Sequence, residues 1–207
     1  MSTTSRYFQG LIFQLATPET AELGPGPRPG VQSLAELNPR LDQLLSQTPL
    51  PRVRQELMRC AILLWHDHHE VAHEICQQIE TPDGSWLHAI LHRREPDYGN
   101  ARYWFHRVGR HPGFSMLADH VNFFLAVSER EQQPEKFLQP PMGELFHPVA
   151  ARLVPQGQWD PFAFVAACEK AVGRSGSAAQ RECLRQIQKL EFKVLLEYFW
   201  NDRTTSE

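Results

Sequence analysis

The chain has 207 residues, 42% of them hydrophobic and 22% charged, with a net charge of -3. That length is enough to bury most of the apolar surface an unfolded chain exposes, and the composition excludes the disordered and fibrous classes. The charge balance gives no basic field for neutralising phosphates, so no nucleic-acid partner is expected; no apolar run nears the roughly 18 to 20 residues of a spanning helix, so no membrane partner is expected either.

The first sixteen residues, MSTTSRYFQGLIFQLA, make a poor signal peptide, because Gln9, Gly10 and Gln14 interrupt the apolar run and no small-residue cleavage site follows. Cys60, Cys76, Cys168 and Cys183 fall on apolar helix faces, and none forms a CxxC pair. They read as buried thiols, and a cytoplasmic location follows. Residues 1–30 form an N-terminal arm and a Pro/Gly linker around GPGPRPG, with Tyr7 to Leu15 docking as an extended arm or trailing as a tail. Residues 31–202 form a single all-α domain, and 203–207 a tail.

Ser33 with Glu36 is a capping-box signature, followed by two short helical pieces that should meet at Asn38-Pro39. Arg52 to His66 predicts a mostly buried helix, apolar over more than half its circumference. His69 to Ile79 predicts the next, ended by a turn at Thr81-Pro82-Asp83-Gly84. Ser85 then caps a helix from Trp86 to Glu95, and Asp97 caps Tyr98 to Val108, with Gly109 past its end. Phe114 to Glu129 follows, then a long irregular connection broken by five prolines. Asp160 and Pro161 open PFAFVAACEKAV, which Gly173 to Ser177 closes. The longest helix runs from about Ala178 to Trp200. It carries one apolar arc through Leu184, Ile187 and Val194 and a second through Phe192, Leu196, Phe199 and Trp200, which must be covered by the chain itself or by a second subunit in a homo-oligomer.

The stretch from Trp65 to Pro112 concentrates the chemistry: it holds eight of the ten histidines. On its third helix, Trp86, Leu87, Ile90 and Leu91 share one arc, while His88, His92 and Glu95 lie opposite at i, i+4 and i+7. His69 and His73 repeat the i, i+4 relation one helix earlier. Four imidazoles and a carboxylate could complete a divalent metal shell if the two faces converge, although no HExxH motif is present. The alternative is surface or hydrogen-bonded histidines. Asn100, Tyr103 and Arg107 form a stripe on the following helix, beside the aromatic arc of Tyr98, Trp104 and Phe105. With His88, His92 and Arg93 they offer donors to a carboxylate or phosphate, or they simply fix the hairpin. Arg94 and Glu191 fall within apolar arcs, so one or both should enter a buried ion pair, with a partner that the sequence does not name.

EPDYGNARYWFHRVGRHP resembles the second helix of a tetratricopeptide repeat, with Ala101 at the tight crossing, Phe105 as the aromatic and Pro112 closing; Asp67 to Ile79, with Ala72, resembles a weaker copy 29 residues earlier, against a repeat of about 34. GSWLHAILHRREPDYGNARYWFHRVGRHP and WDPFAFVAACEKA also resemble a family of bacterial proteins without an assigned activity. That resemblance implies one coherent domain and no particular chemistry. The expected fold is an all-α array of about eight helices with tetratricopeptide-like hairpins at its centre and a long C-terminal helix. The expected function is a non-enzymatic binding or scaffolding domain taking an acidic peptide or small anion; the competing class is a metal-dependent enzyme.

Overall fold

The computed structural model describes residues 3–132, 148–173 and 176–201. The described residues form ten helices and no strand: α1 (Thr3–Phe13), α2 (Leu34–Ser46), α3 (Arg52–Trp65), α4 (His69–Cys76), α5 (Pro82–Arg94), α6 (Tyr98–Val108), α7 (Pro112–Gln132), α8 (Pro148–Leu153), α9 (Pro161–Val172) and α10 (Ala178–Asn201). The fold is an all-α helical array closed by a long C-terminal helix. Most of the expected proline-rich connection, the centre of the 173–177 connector and the 203–207 tail lie outside the described residues.

Local sequence explains most helix starts. Asp97 accepts from the Asn100 N–H at 3.1 Å, and Asp160 accepts from the Phe162 and Ala163 N–H groups at 2.9 Å each. Glu36 reaches back to the Ser33 N–H at 2.9 Å. Three expectations need correction. The residues expected as an extended arm form α1, whose Leu11 is buried together with Leu15, Ala21 and Leu23 beyond it. The expected break at Asn38-Pro39 is absent: Pro39 sits inside α2, where the lost backbone hydrogen bond is outweighed by burial of Leu37, Leu41 and Leu45 on one face. The turn expected at Thr81 to Gly84 is instead the first turn of α5, with Thr81 as N-cap and Pro82 at the first helical position. Gly84 belongs there because a Cβ would lie 2.1 Å from the Ile79 carbonyl oxygen.

One apolar cluster joins every part of the array, from Leu11 through Trp65, Trp86 and Phe105 to Phe199. Helix α10 packs on α3, α7, α9 and α1. Its second apolar face is covered within the chain, with Phe192, Leu196 and Phe199 buried and Trp200 5.1 Å from the Phe8 ring. Helices α5 and α6 pack closely, and α5 also lies against α3 and α4. As a result α5 is buried on every side from Asp83 to Arg94, its histidines and arginines included.

Residues 14–33 are fastened by charge. The Arg28 guanidinium donates to Asp67 Oδ1 at 2.6 Å and to the Trp65 carbonyl at 2.9 Å, and its backbone N–H donates to Asp67 Oδ2 at 3.0 Å. Arg94 from α5 reaches the same Asp67 Oδ1 at 2.6 Å and also donates to the Leu64 and Glu22 carbonyls. Asp67 adopts the left-handed region at φ 67°, which aspartate tolerates better than most residues. Burial alone would raise the Asp67 carboxyl, but Arg94 and then Arg28 outweigh it and hold it below the ordinary carboxylate range.

Candidate functional site

Three of the five predicted metal ligands converge. His73 on α4 and His88 and His92 on α5 each offer a nitrogen, and the three atoms lie within 4.8 Å of one another. The α-helical period brings His88 and His92 to one face, where their rings stack with centroids 4.9 Å apart. The His73 ring stands edge-on to both, at 4.6 Å and 5.6 Å. His73 Nε2 and His88 Nε2 are 2.8 Å apart, so with both rings neutral one nitrogen carries the proton that the other accepts. His88 Nδ1 is buried with no hydrogen-bond partner among the described residues. His88 and His92 are only 4% and 8% exposed, whereas His73 is half-buried and leads to solvent.

The remaining two predicted ligands stand apart. The Glu95 carboxylate lies 3.2 Å from His92 Nδ1, close enough for an ion pair but without hydrogen-bond geometry. His69 is not in the cluster; its electrostatic neighbours are Arg94, Asp67 and His68, and its Nε2 is buried without a partner among the described residues.

The stripe on α6 meets the histidines. Asn100 Nδ2 is 3.2 Å from His92 Nε2, and the Trp104 ring stacks on His88 at 3.8 Å, nearly parallel. Arg107 places its guanidinium 5.3 Å from the Trp104 ring centre, and the Tyr103 ring stands edge-on to Trp104 at 5.5 Å. Tyr103 is 54% exposed. The faces of α5 and α6 that carry His88, His92 and Asn100 therefore share one location, pressed together rather than separated by a groove. A cavity of 510 Å³ is lined by Phe124, Leu153, Ala171 and Leu184 on α7 to α10, away from the histidines.

Arg93, expected among the ligand-binding residues, points the other way. It is fully buried and forms a two-pronged pair with Glu191 of α10, at 2.5 Å and 3.3 Å. Arg94 and Glu191 are each in a buried ion pair, but not with one another: Arg94 holds Asp67 and Glu191 holds Arg93. Asp67 and Arg28, in a loop and a Pro/Gly-rich segment, were missed in the sequence, as was the stacking of Trp104 on His88. The HDHH run around Asp67 was the available signal, since an acid flanked by histidines at a helix junction requires a partner.

Burial first, and then His92 and His73, lower the His88 pKa to about 3. Burial and then Arg94 lower His69 to about 4, and burial lowers His66, whose Nε2 donates to the Gln14 carbonyl while its Nδ1 accepts from the Gln32 N–H. The unfolded chain, with histidines titrating near 6.5, binds protons that the folded chain refuses, so stability is full above about pH 6.5 and falls as the pH drops below it. Denaturant unfolding of metal-free protein should show a loss on the order of 3 kcal/mol between about pH 7 and pH 4.5, and an unchanged midpoint would contradict it. The direction is opposite to that of a histidine stabilised by an acid.

The arrangement is chemically suited to a cation: three imidazoles converge, a carboxylate lies beside one of them, and an aromatic wall backs another. Metal–nitrogen bonds near 2.0 to 2.1 Å would place tetrahedral ligand nitrogens roughly 3.3 Å apart. The His73–His88 pair would open slightly and the wider separations would close. No helix among the described residues is long and apolar enough to cross a membrane. Comparison with family models, with curated proteins and with solved structures gives no match, so the geometry of this site carries the functional argument alone.

Proposed function

We propose that the protein is a metal-binding helical domain that takes a divalent transition metal, zinc, iron or cobalt by ligand type, on His73, His88 and His92. The observation that carries this reading is the convergence of three imidazole nitrogens within 4.8 Å from two helices packed on each other. Imidazole sets of this kind suit borderline metals rather than calcium or magnesium. The α5–α6 hairpin, with Ala101 buried at the crossing, serves as a tetratricopeptide-like frame for the site. Four free cysteines fit a cytoplasmic setting.

An acidic-peptide groove has less support. Arg93 is held by Glu191, which leaves Arg107 as the cation of that stripe on the surface. The proposal needs no second copy of the chain, because the far face of α10 is covered internally.

Elemental analysis after loading with excess zinc or cobalt and exhaustive dialysis tests the reading. One equivalent of metal is expected in the wild type and a large loss in His88→Ala, while His69→Ala retains the metal. Absence of stoichiometric metal, or equal retention by His88→Ala, would overturn it.

A further inference from the structure

The three nitrogens leave a bound divalent ion with its full positive charge and an open coordination position. Among the described residues no carboxylate joins the three nitrogens, and Glu95 lies against His92 Nδ1 instead. On the other side of the ring, His92 Nε2 lies 3.2 Å from Asn100 Nδ2, where its lone pair accepts from the amide N–H. Once His92 Nε2 binds a metal, the Asn100 amide N–H loses its acceptor while remaining beside the ion. A half-buried amide N–H freed in this way offers its hydrogen bond to solvent or to a ligand seated on the ion.

Resting on the metal reading above, we infer that the open position takes a small oxyanion, a carboxylate or a phosphate, bound at once to the metal and to the Asn100 amide. Asn100 and His73 are both half-buried, so the cluster meets solvent on their side. Trp104 forms the apolar wall behind His88, and Arg107, exposed and resting over Trp104, supplies a second cation at the mouth. The rim also carries Glu95 and Asp97, both exposed. They disfavour a chain of acidic residues spreading over the surface, while a small anion that enters between them meets the metal's charge directly. The site therefore selects for small size as well as for charge.

Cobalt(II) replacement in the full chain tests this, because the visible spectrum of cobalt reports its ligand set. The metal arm comes first: a cobalt spectrum that is lost in His88→Ala upholds the site, and no such spectrum in the wild type overturns both readings. Acetate and inorganic phosphate are then titrated separately at constant ionic strength, which tells the two sources of oxyanion apart. At least one should change the spectrum saturably, with a dissociation constant raised about tenfold in Asn100→Ala and several-fold in Arg107→Met, while both variants hold cobalt as the wild type does. A cobalt spectrum that neither anion alters overturns the inference and leaves the metal site standing. Loss of cobalt in Asn100→Ala also overturns it, since the amide oxygen would then be the fourth ligand. A response to a short acidic peptide but to neither small anion overturns it as well.

Discussion

Glu191→Ala should lower the stability of the protein by about 3 to 5 kcal/mol, which for a chain of this size is a fall in Tm of roughly 10 °C. Glu191 and Arg93 are both 0% exposed. The carboxylate takes two hydrogen bonds from the guanidinium and a third from the Trp86 indole N–H at 2.9 Å. Gln188 adds an acceptor to Arg93 at 3.3 Å, and the Phe164 ring lies 4.5 Å from the guanidinium carbon. Removing the carboxylate strands a cation in the core and also deprives the indole of its acceptor, which costs more than the pair contributes over an apolar substitute. The double variant Arg93→Met with Glu191→Leu should therefore recover much of the loss. Thermal unfolding of both variants decides the matter: a single variant within about 2 °C of wild type, or a double variant no better than the single one, would show that the buried charge is not what matters.

Asp67→Asn is the second large change expected. It keeps the shape and the tolerance for φ 67° but exchanges a carboxylate for an amide facing Arg28 and Arg94. Both guanidinium groups, 2% and 0% exposed, then lack a counter-charge. A loss of about 3 kcal/mol or more is expected, with the first opening in residues 14–33, because Arg28 ties that segment to the body. Limited proteolysis should cut there faster in the variant under native conditions. Cleavage at the wild-type rate would sink the assignment of Asp67 as the fastener.

Much of the helical layout is legible in the chain because it depends on neighbours. Asp97 and Asp160 cap the helices that their spacing announces. Thr81-Pro82 uses the same chemistry, but the Asp83-Gly84 that follows has the composition of a turn and masks the helix start. The site was legible only in part. A helical wheel places His88 and His92 on one face, but it cannot say that α4 will cover that face and turn a polar side into a buried one. Nor can it orient Arg93, whose partner lies 98 residues away. Long-range pairing depends on which helices become neighbours, and local periodicity carries no record of that.

Three consecutive residues of α5 are anchored in three directions: His92 to Asn100 and Glu95, Arg93 to Glu191, and Arg94 to Asp67. A helix turns about 100° per residue, so together these anchors fix the rotation of α5 about its own axis. Deleting one residue between His88 and His92 would swing one imidazole away from the other while the arginines kept their partners. The cluster thus behaves as a preset coordination angle rather than as a flexible hand. An ion therefore asks only small shifts of the rings on a helix whose rotation is already set, and the energy of that ion's binding would appear directly as resistance of the whole array to unfolding.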